Sequence, residues 1–213
     1  MDIDELIYFE QNSLTREFCD HVIDKFKKSE HRRKGITGGG YSPDAKLSTD
    51  LSLSHVDGWG EEDKVFSEAL FGALERYRNY LNCLMPGMGS TITGDGVYDN
   101  GYQLQETKPY GFYSWHHDYC SVIVEDEDDK PCVSNRMVTF LWYLNDIEEN
   151  GYTEFVGSSK VQPECGKLML FPATWTYFHR GYPPKREMKY ICTGWIWKKQ
   201  PKLVAEENAD IPE

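Results

Sequence analysis

The sequence predicts an α+β domain built on a β-sandwich or jelly roll. Two helical patterns lie within the first 84 residues, and from residue 103 onward the chain consists almost wholly of short, closely spaced strand patterns. Its 213 residues suit one large domain better than two ordinary ones. We expect a single domain over residues 1–213, with helical support and connecting loops to about residue 101, a jelly-roll core over about 102–197 and a tail over 198–213.

A first helix is predicted from Leu14 to Lys28. Thr15 is a suitable N-cap residue, and Phe18, Val22 and Phe26 recur every four residues as one apolar stripe. Such a stripe is typical of a helix that packs on a core, so we assign it no function.

A second, longer helix is predicted from Glu61 to Leu84. Its apolar residues form a wide face suited to packing across a sheet, and Pro86 and Gly87 end it. The Gly-rich segment that follows contains Asn100-Gly101, a sequence that favours a type I′ turn, so we expect a short hairpin there.

Strand patterns account for most of the remaining chain. They are rich in aromatic and β-branched residues, and turn-forming residues separate them. Before the second helix, Lys46 to Leu53 alternates polar and apolar residues and is a further candidate. The predicted strands beyond the helices are Tyr102 to Lys108, Tyr113 to Val124, Met137 to Leu144, Thr153 to Val156, Lys167 to Phe171, Thr176 to His179 and Tyr190 to Trp197.

The charge balance argues against one class of partner. Acidic residues outnumber basic ones by 35 to 23, which gives a formal net charge of −12. A surface of this sign repels phosphate backbones, so we expect no nucleic-acid partner. The chain has no apolar run of 18 residues, so we also expect no membrane-spanning helix and no membrane partner.

The cysteines and the N-terminal sequence predict a cytoplasmic protein. The six cysteines form no CxxC pair and show no zinc-binding spacing, and the acidic first residues lack the apolar stretch of a secretory signal. We therefore expect reduced thiols. Cys120 and Cys132 flank an acidic loop at residues 125–129, and both their pairing and the role of that loop stay open.

The most informative stretch lies within the predicted strand Tyr113 to Val124. Side chains on a strand alternate faces, so His116 and Asp118 should point to one side and His117 to the other. An imidazole and a carboxylate on one face need one further histidine to complete the facial set associated with non-haem Fe(II). The alternative is that His-x-Asp is a surface feature or a simple hydrogen-bonded pair, because so short a motif also occurs by chance.

Two residues further along could complete such a site. His179 lies 63 residues after His116 among aromatic residues, where a buried structural histidine is the commoner finding. Lys189 follows 10 residues later at the head of a strand, on the same face as Ile191, Thr193 and Trp195. A lysine at the base of an apolar pocket can pair with a ligand carboxylate, and the alternative is a surface lysine on an edge strand.

An ordered set of motifs extends from Leu104 to Trp197. It comprises Tyr113-x-x-His116-x-Asp118, Arg136-x-x-Thr139-x-x-x-Tyr143, Gly151-x-Thr153-x-Phe155, Pro163-x-x-Gly166-Lys167, His179-x-Gly181, Lys189-Tyr190 and Thr193-x-Trp195. In this order the motifs resemble the Fe(II)- and 2-oxoglutarate-dependent dioxygenases, in particular the prolyl 4-hydroxylase-like branch. The chain departs from that pattern at Asn150, where glycine is usual, at Val156-Gly157, and in the loop over residues 120–135.

The resemblance implies a fold and a set of roles. The fold is a double-stranded β-helix, or jelly roll, with the N-terminal helices packed on one sheet. His116, Asp118 and His179 would be the catalytic Fe(II) ligands, and Lys189 and Tyr143 would hold the distal carboxylate of 2-oxoglutarate. The residues Tyr113, Thr139 and Trp195 would line the cosubstrate or substrate pocket.

The activity implied by the resemblance is hydroxylation of a C–H bond. Fe(II), 2-oxoglutarate and O2 would be required, ascorbate would be the reductant, and succinate and CO2 would be released. A proline-containing peptide or protein is the expected substrate. A free amino acid or small metabolite is the alternative substrate, a non-catalytic jelly-roll binding module is the alternative class, and the oligomeric state stays open.

Overall fold

The computed structural model describes residues 3–125, 131–157 and 160–200. Within these ranges the chain forms two α-helices and two antiparallel β-sheets, which confirms the predicted α+β class. No helix in this part of the chain is long and apolar enough to cross a membrane. The six cysteines, Cys120 and Cys132 included, are free thiols. Most of the acidic loop lies outside the described residues.

Both helices lie close to their predicted positions. Helix α1 is Arg16–Lys28, and the hydroxyl of Thr15 caps it by accepting a hydrogen bond from the backbone N–H of Phe18. Helix α2 is Gly60–Leu84, and the chain turns away beyond it through Gly87, whose φ of 87° is in the left-handed region that glycine tolerates.

A buried carboxylate ties the two helices together. Glu62 of α2 accepts hydrogen bonds from Lys25 and His21 of α1, at 2.6 and 2.7 Å. Burial by itself would raise the pKa of Glu62, but these two hydrogen bonds together hold it below its usual value. The charge of Glu62 is therefore compensated where it is buried.

The strands divide into a major and a minor sheet. The major sheet contains β1 (Tyr8–Glu10), β2 (Arg33–Lys34), β3 (Thr49–Ser52), β4 (Val97–Asp99), β5 (Gln103–Thr107), β7 (Ser121–Glu125), β8 (Pro131–Tyr143), β11 (Leu168–Pro172) and β13 (Lys189–Lys199). The minor sheet contains β6 (Tyr113–His116), β9 (Thr153–Phe155), β10 (Lys160–Val161) and β12 (His179–Gly181). Strand β13 lies at the centre of the major sheet, between β8 and β5, so Lys189 is not on an edge strand.

Four details of the strand prediction are wrong. Strand β8 begins at Pro131 and not at Met137, so it includes residues that were expected to form a loop. The segment Tyr113 to Val124 is not one strand, because β6 pairs with β12 in the minor sheet whereas β7 pairs with β8 in the major sheet. Residues 174–177 form a turn, so the last minor-sheet strand starts at His179 and not at Thr176. Asn100-Gly101 makes no hairpin, because β4 and β5 each pair with β13 and only the glycine has a positive φ.

Alternation along the strands gives the major sheet two different faces. The back face packs on both helices and contributes Leu104, Phe140, Trp142, Leu168, Leu170 and Cys192 to one apolar cluster. The front face packs on the minor sheet in a second, smaller cluster, where the rings of Phe155 and Phe171 meet at 5.0 Å. The functional residues predicted from the sequence lie between the two sheets, on this front side.

Candidate metal and cosubstrate site

Three potential metal ligands converge between the sheets. His116 on β6 and His179 on β12 are directly opposite each other in the antiparallel pair, and Asp118 lies two residues beyond the end of β6. The Nε2 atoms of the two histidines are each 3.7 Å from a carboxylate oxygen of Asp118. One ligand atom from each residue lies within 4.8 Å of the other two, so a single ion could contact all three.

Hydrogen bonds set the tautomer of both histidines. Nδ1 of His116 is 2.7 Å from the carbonyl oxygen of Ser114, and Nδ1 of His179 is 2.9 Å from that of Tyr177. A carbonyl oxygen only accepts, so each ring keeps its proton on Nδ1 and leaves the lone pair of Nε2 free for a metal.

The carboxylate of Asp118 is oriented by the neighbouring strand. Its Oδ2 accepts a hydrogen bond of 2.8 Å from Thr139 on β8. Burial would raise the pKa of Asp118, but the adjacent His179 and His116 hold it below its usual value. Burial, reinforced by His179, lowers the pKa of His116 to about 4. At neutral pH His116 is therefore a neutral imidazole and Asp118 an ionised carboxylate, the forms that bind metal.

Aromatic rings hold the two histidines in place. The ring of Tyr113 stacks on that of His116 with their centroids 3.6 Å apart. His179 packs against Phe171 and Phe155, at 5.0 and 5.5 Å between ring centroids. Burial raises the pKa of Tyr113 to about 12, so its phenol stays protonated.

Lys189 lies in the same cavity as the three ligands. Its side chain is 5% exposed, and within the described residues its ammonium group has no hydrogen bond or ion pair. Its Nζ lies 5.5 Å from the centroid of the Tyr143 ring. Burial alone lowers the pKa of Lys189 to about 7. A buried cation without a counter-charge is costly, and an anionic ligand in the cavity would remove that cost.

Two arginines near Lys189 in the sequence are engaged elsewhere. Arg180 pairs with Glu154 at 2.6 Å and stacks on Trp115. Arg186 is exposed to solvent and lies 3.5 Å from Glu149. Neither lines the cavity, whereas Lys189 does.

The remaining predicted pocket residues differ in how they meet the cavity. Thr139 and Trp195 line it, as does Tyr113. The hydroxyl of Tyr143 instead donates to Thr153 at 2.7 Å, and Thr153 forms the cavity surface at that point. The structure thus places Tyr143 behind the wall, and its contact with a carboxylate stays a prediction.

His117 is well separated from the ligand cluster. It is exposed, its ring lies 6.0 Å from that of Phe178, and it borders a groove next to the cavity. The predicted choice between the adjacent histidines agrees with this geometry, although Asp118 lies past the strand and not on it.

Sequence reasoning did not identify several residues that line the cavity. Gln105 and Thr107 of β5 and Leu141 of β8 lie beside the predicted residues on the front face. Gln105 directly follows Leu104, where the set of motifs begins, and was assigned no role from the sequence. The available signal was alternation, because Gln103, Gln105 and Thr107 put polar groups on one face of a central strand.

A family model and solved structures both support the assignment of His116, Asp118, His179 and Lys189 to an oxygenase-type site. Residues 102–197 match the family model described as the 2OG-Fe(II) oxygenase superfamily. No curated protein sequence matches the chain at a significant level.

Solved structures of prolyl hydroxylases share the fold. A viral collagen prolyl hydroxylase from Paramecium Bursaria Chlorella virus-1, in complex with 2OG, is 21% identical, with a TM-score of 0.59 and coverage of 91% of this chain and 96% of that one. A Trichoplax adhaerens prolyl hydroxylase in complex with a hypoxia inducible factor peptide fragment is 17% identical, with a TM-score of 0.65 and coverage of 91% and 84%. A Pseudomonas putida prolyl-4-hydroxylase is 14% identical, with a TM-score of 0.59 and coverage of 92% and 93%.

These structural matches establish the fold, and the family model adds the chemistry. The resemblance seen in the sequence to the Fe(II)- and 2-oxoglutarate-dependent dioxygenases is therefore confirmed. Residues 102–197 match the 2OG-Fe(II) oxygenase superfamily and the chain has the fold of prolyl hydroxylases, and together these findings support a 2-oxoglutarate-dependent dioxygenase.

Proposed function

We propose that this protein hydroxylates a C–H bond of a peptidyl prolyl residue and releases succinate and CO2. The observation that carries the proposal is the placement of Lys189, a buried cation without a counter-charge, in the same cavity as the His116, Asp118 and His179 cluster. A metal at one end and a cation at the other suit a ligand with an oxo-acid group and a distal carboxylate, as in 2-oxoglutarate.

The donor set fits Fe(II). Two neutral imidazoles and one carboxylate form the facial triad of non-haem iron oxygenases, and a carboxylate–imidazole mixture suits Fe(II) better than an all-thiolate or all-oxygen set. We propose that His116, Asp118 and His179 hold the ion, with Thr139 and the carbonyl groups of Ser114 and Tyr177 orienting the ligands.

The cavity also fits the cosubstrate. We propose that Lys189 binds the distal carboxylate of 2-oxoglutarate, with Thr153 and Thr107 among the other polar side chains in the cavity lining. Leu141, Ile191 and Phe171 supply apolar walls that exclude water from the reacting atoms.

Bound Fe(II) and 2-oxoglutarate supply the oxidising chemistry. In the overall reaction R–H, O2 and 2-oxoglutarate give R–OH, succinate and CO2, so one oxygen atom enters the substrate and the other enters succinate. The protein residues position the reactants, keep the two histidines in the metal-binding tautomer and shield the site. We also propose that ascorbate is the reductant and that the protein is cytoplasmic.

A peptide substrate is favoured by the groove beside the cavity. The groove has a volume of about 420 Å³ and shares Asp118, Gln105, Tyr113 and Trp195 with the cavity. Exposed side chains on its border, Ile36 and Tyr119, could contact a ligand that extends beyond one residue. The Trichoplax relative, solved with a peptide, is consistent with this choice.

The test is succinate formation by purified protein with Fe(II), ascorbate, O2 and 2-oxoglutarate, with and without proline-rich peptides. We expect a peptide-stimulated rate that the His116→Ala variant lacks, together with hydroxyproline in the peptide. A slow rate that peptides do not change would indicate that the substrate is a small metabolite and not a peptide. If iron-loaded protein formed no succinate, the protein would be a non-catalytic binding module.

A further inference from the structure

Gln105 stands at the boundary between the metal cavity and the adjoining groove. It is on β5, it is 8% exposed, and it lines both spaces. Its side-chain N–H₂ group donates to Gln103 at 3.1 Å, and within the described residues its side-chain oxygen has no recorded hydrogen bond. A polar group therefore faces the place where substrate and cosubstrate would meet.

The orientation of this amide follows from a chain of hydrogen bonds. Asp50 can only accept, so Gln103 must turn its N–H₂ group towards that carboxylate, at 3.2 Å. The oxygen of Gln103 is then left for Gln105, which must donate to it. Amide nitrogen and oxygen are often hard to distinguish, but the carboxylate removes that ambiguity here. The group that Gln105 presents to the cavity is its carbonyl oxygen.

Asp50 is itself firmly held. Lys46 donates to its Oδ2 at 2.7 Å and Ser48 donates to its Oδ1 at 2.7 Å, and the Lys46–Asp50 pair is buried. The ammonium group of Lys46 also lies 5.1 Å from the ring centroid of Tyr113, which stacks on His116. A charged pair thus fixes the direction of both amides beside a metal ligand.

A hydrogen-bond acceptor at this point cannot serve the cosubstrate. The carboxylate and oxo groups of 2-oxoglutarate are acceptors at neutral pH, so none of them can bond to the oxygen of Gln105. A substrate that occupied this point could bond to Gln105 only through a hydrogen-bond donor. A prolyl residue has no N–H, so the nearest peptide donor beyond it is the N–H of the residue that follows.

We propose that Gln105 is a specificity-determining residue that accepts a hydrogen bond from the backbone N–H of the residue after the target proline, and that Gln103 is the positioning residue that directs it. This inference rests on the proposed function and deepens it. It predicts that a target proline followed by another proline, or by any residue without an N–H, is a poor substrate.

The experiment compares two peptides that differ only in this donor. One is a decapeptide with a single proline, and the other is the same peptide with an N-methyl group on the residue that follows that proline. For the wild-type protein we expect kcat/KM for peptide-dependent succinate formation to fall about tenfold on N-methylation, the value of one net hydrogen bond. In Gln105→Met, which has a similar length but no acceptor, we expect the two peptides to be used equally.

The two-by-two comparison separates the hydrogen bond from the bulk of the methyl group. A steric effect would persist in Gln105→Met, and an unchanged preference in that variant would overturn the proposal. Gln103→Met should keep the side-chain oxygen of Gln105 but no longer orient it. Its preference for the unmethylated peptide should therefore fall between those of the wild type and Gln105→Met. Gln11→Met, at an exposed position, is the matched control and should retain the full preference.

A second readout needs no peptide turnover. The dissociation constant of 2-oxoglutarate from Mn(II)-loaded protein, followed by tryptophan fluorescence, should change less than twofold in Gln105→Met. A loss of fivefold or more would mean that Gln105 serves the cosubstrate, and the proposal would be wrong. A wild-type protein that uses both peptides equally would overturn this inference but keep prolyl hydroxylation, whereas one stimulated by neither peptide would refute the proposed substrate as well.

Discussion

The back and front faces of the major sheet come from the same strands and behave differently. On β13, Tyr190, Cys192 and Ile196 join the apolar cluster under the helices, whereas Lys189 and Thr193 line the cavity. One residue of register separates the two sets. The back face supplies stability and the front face supplies chemistry, so the alternation of the strand keeps the two tasks apart.

Buried charges are paired on both faces, as Lys46 and Asp50 are on the front face, but Lys189 differs. On the back face Glu106 accepts a hydrogen bond of 2.9 Å from the hydroxyl of Tyr190, and Glu62 between the helices is paired twice. On the front face Lys189 has no partner among the described residues. A buried charge that is paired belongs to the structure, whereas one that lacks a partner inside a cavity indicates a place for a ligand.

The largest expected effect is on the front face, at the metal ligands. His179→Ala should reduce iron-dependent succinate formation by at least about 1,000-fold, because even the groups that merely orient metal ligands are worth 10- to 100-fold. Its thermal unfolding without metal should be close to that of the wild type. His117→Gln is the control and should retain iron, measured by metal content after desalting; loss of iron in this control would reverse the choice between the adjacent histidines.

The next effect is on the back face. Trp142 is fully buried and contacts Phe66 and Phe140, and Trp142→Ala should lower the free energy of unfolding by about 3–5 kcal/mol. Urea denaturation measures this. The dissociation constant of 2-oxoglutarate should stay near the wild-type value at temperatures where the variant is folded, and a large change in affinity would break the separation of the two faces.

Lys189→Met should move stability and binding in opposite directions. Removing a buried charge without a partner should raise the free energy of unfolding of the ligand-free protein, whereas the affinity for 2-oxoglutarate should fall roughly 100-fold with the loss of a charged hydrogen bond. Iron binding should remain measurable. An unchanged affinity for 2-oxoglutarate would assign the carboxylate to another residue.

The smallest expected effect is a pH dependence from the same lysine. Its pKa is lowered to about 7 by burial, so between about pH 7 and the usual pKa of 10.5 the unfolded chain binds the proton and the folded protein does not. Stability of the ligand-free protein should therefore rise with pH in that window. Affinity for 2-oxoglutarate should fall there by up to about tenfold per pH unit, because binding requires charged Lys189.

Calorimetric titration at several pH values, with Mn(II) in place of iron, measures this dependence. Lys189→Arg keeps its charge throughout the range, so its affinity profile should be flatter. A wild-type profile as flat as that of the arginine variant would mean that Lys189 is protonated without the ligand.

Periodicity explains what the sequence could predict. The helix boundaries, strand β13 and the common face of Lys189 and Trp195 follow from local patterns, and the structure agrees with them. Only the second half of β8 was predicted, because the segment before Met137 was expected to be a loop. The metal-ligand residues were predicted from a motif in its order along the chain, and the structure brings all three together.

Features that depend on distant partners were not predictable in the same way. Strand propensity does not say which sheet a segment joins, so the crossing at residues 117–120 was missed. The turn predicted at Asn100-Gly101 did not form a hairpin, because both flanking strands pair with β13. The contact of Tyr143 with Thr153, 10 residues away, depends on how the two sheets meet. Local preference gave way to tertiary pairing in each case.

The opposition of His116 and His179 across two short strands has a mechanical consequence. The two positions are 63 residues apart in the chain, and a shared ion would fasten the ends of that long loop as a crosslink does. Since β6 and β12 have only four and three residues, this fastening would strengthen the minor sheet far more than the major one. Bound iron would then stabilise the minor sheet in addition to its role in catalysis. In iron-starved cells, the catalytic part of the protein would be less stable while the helical part stays folded.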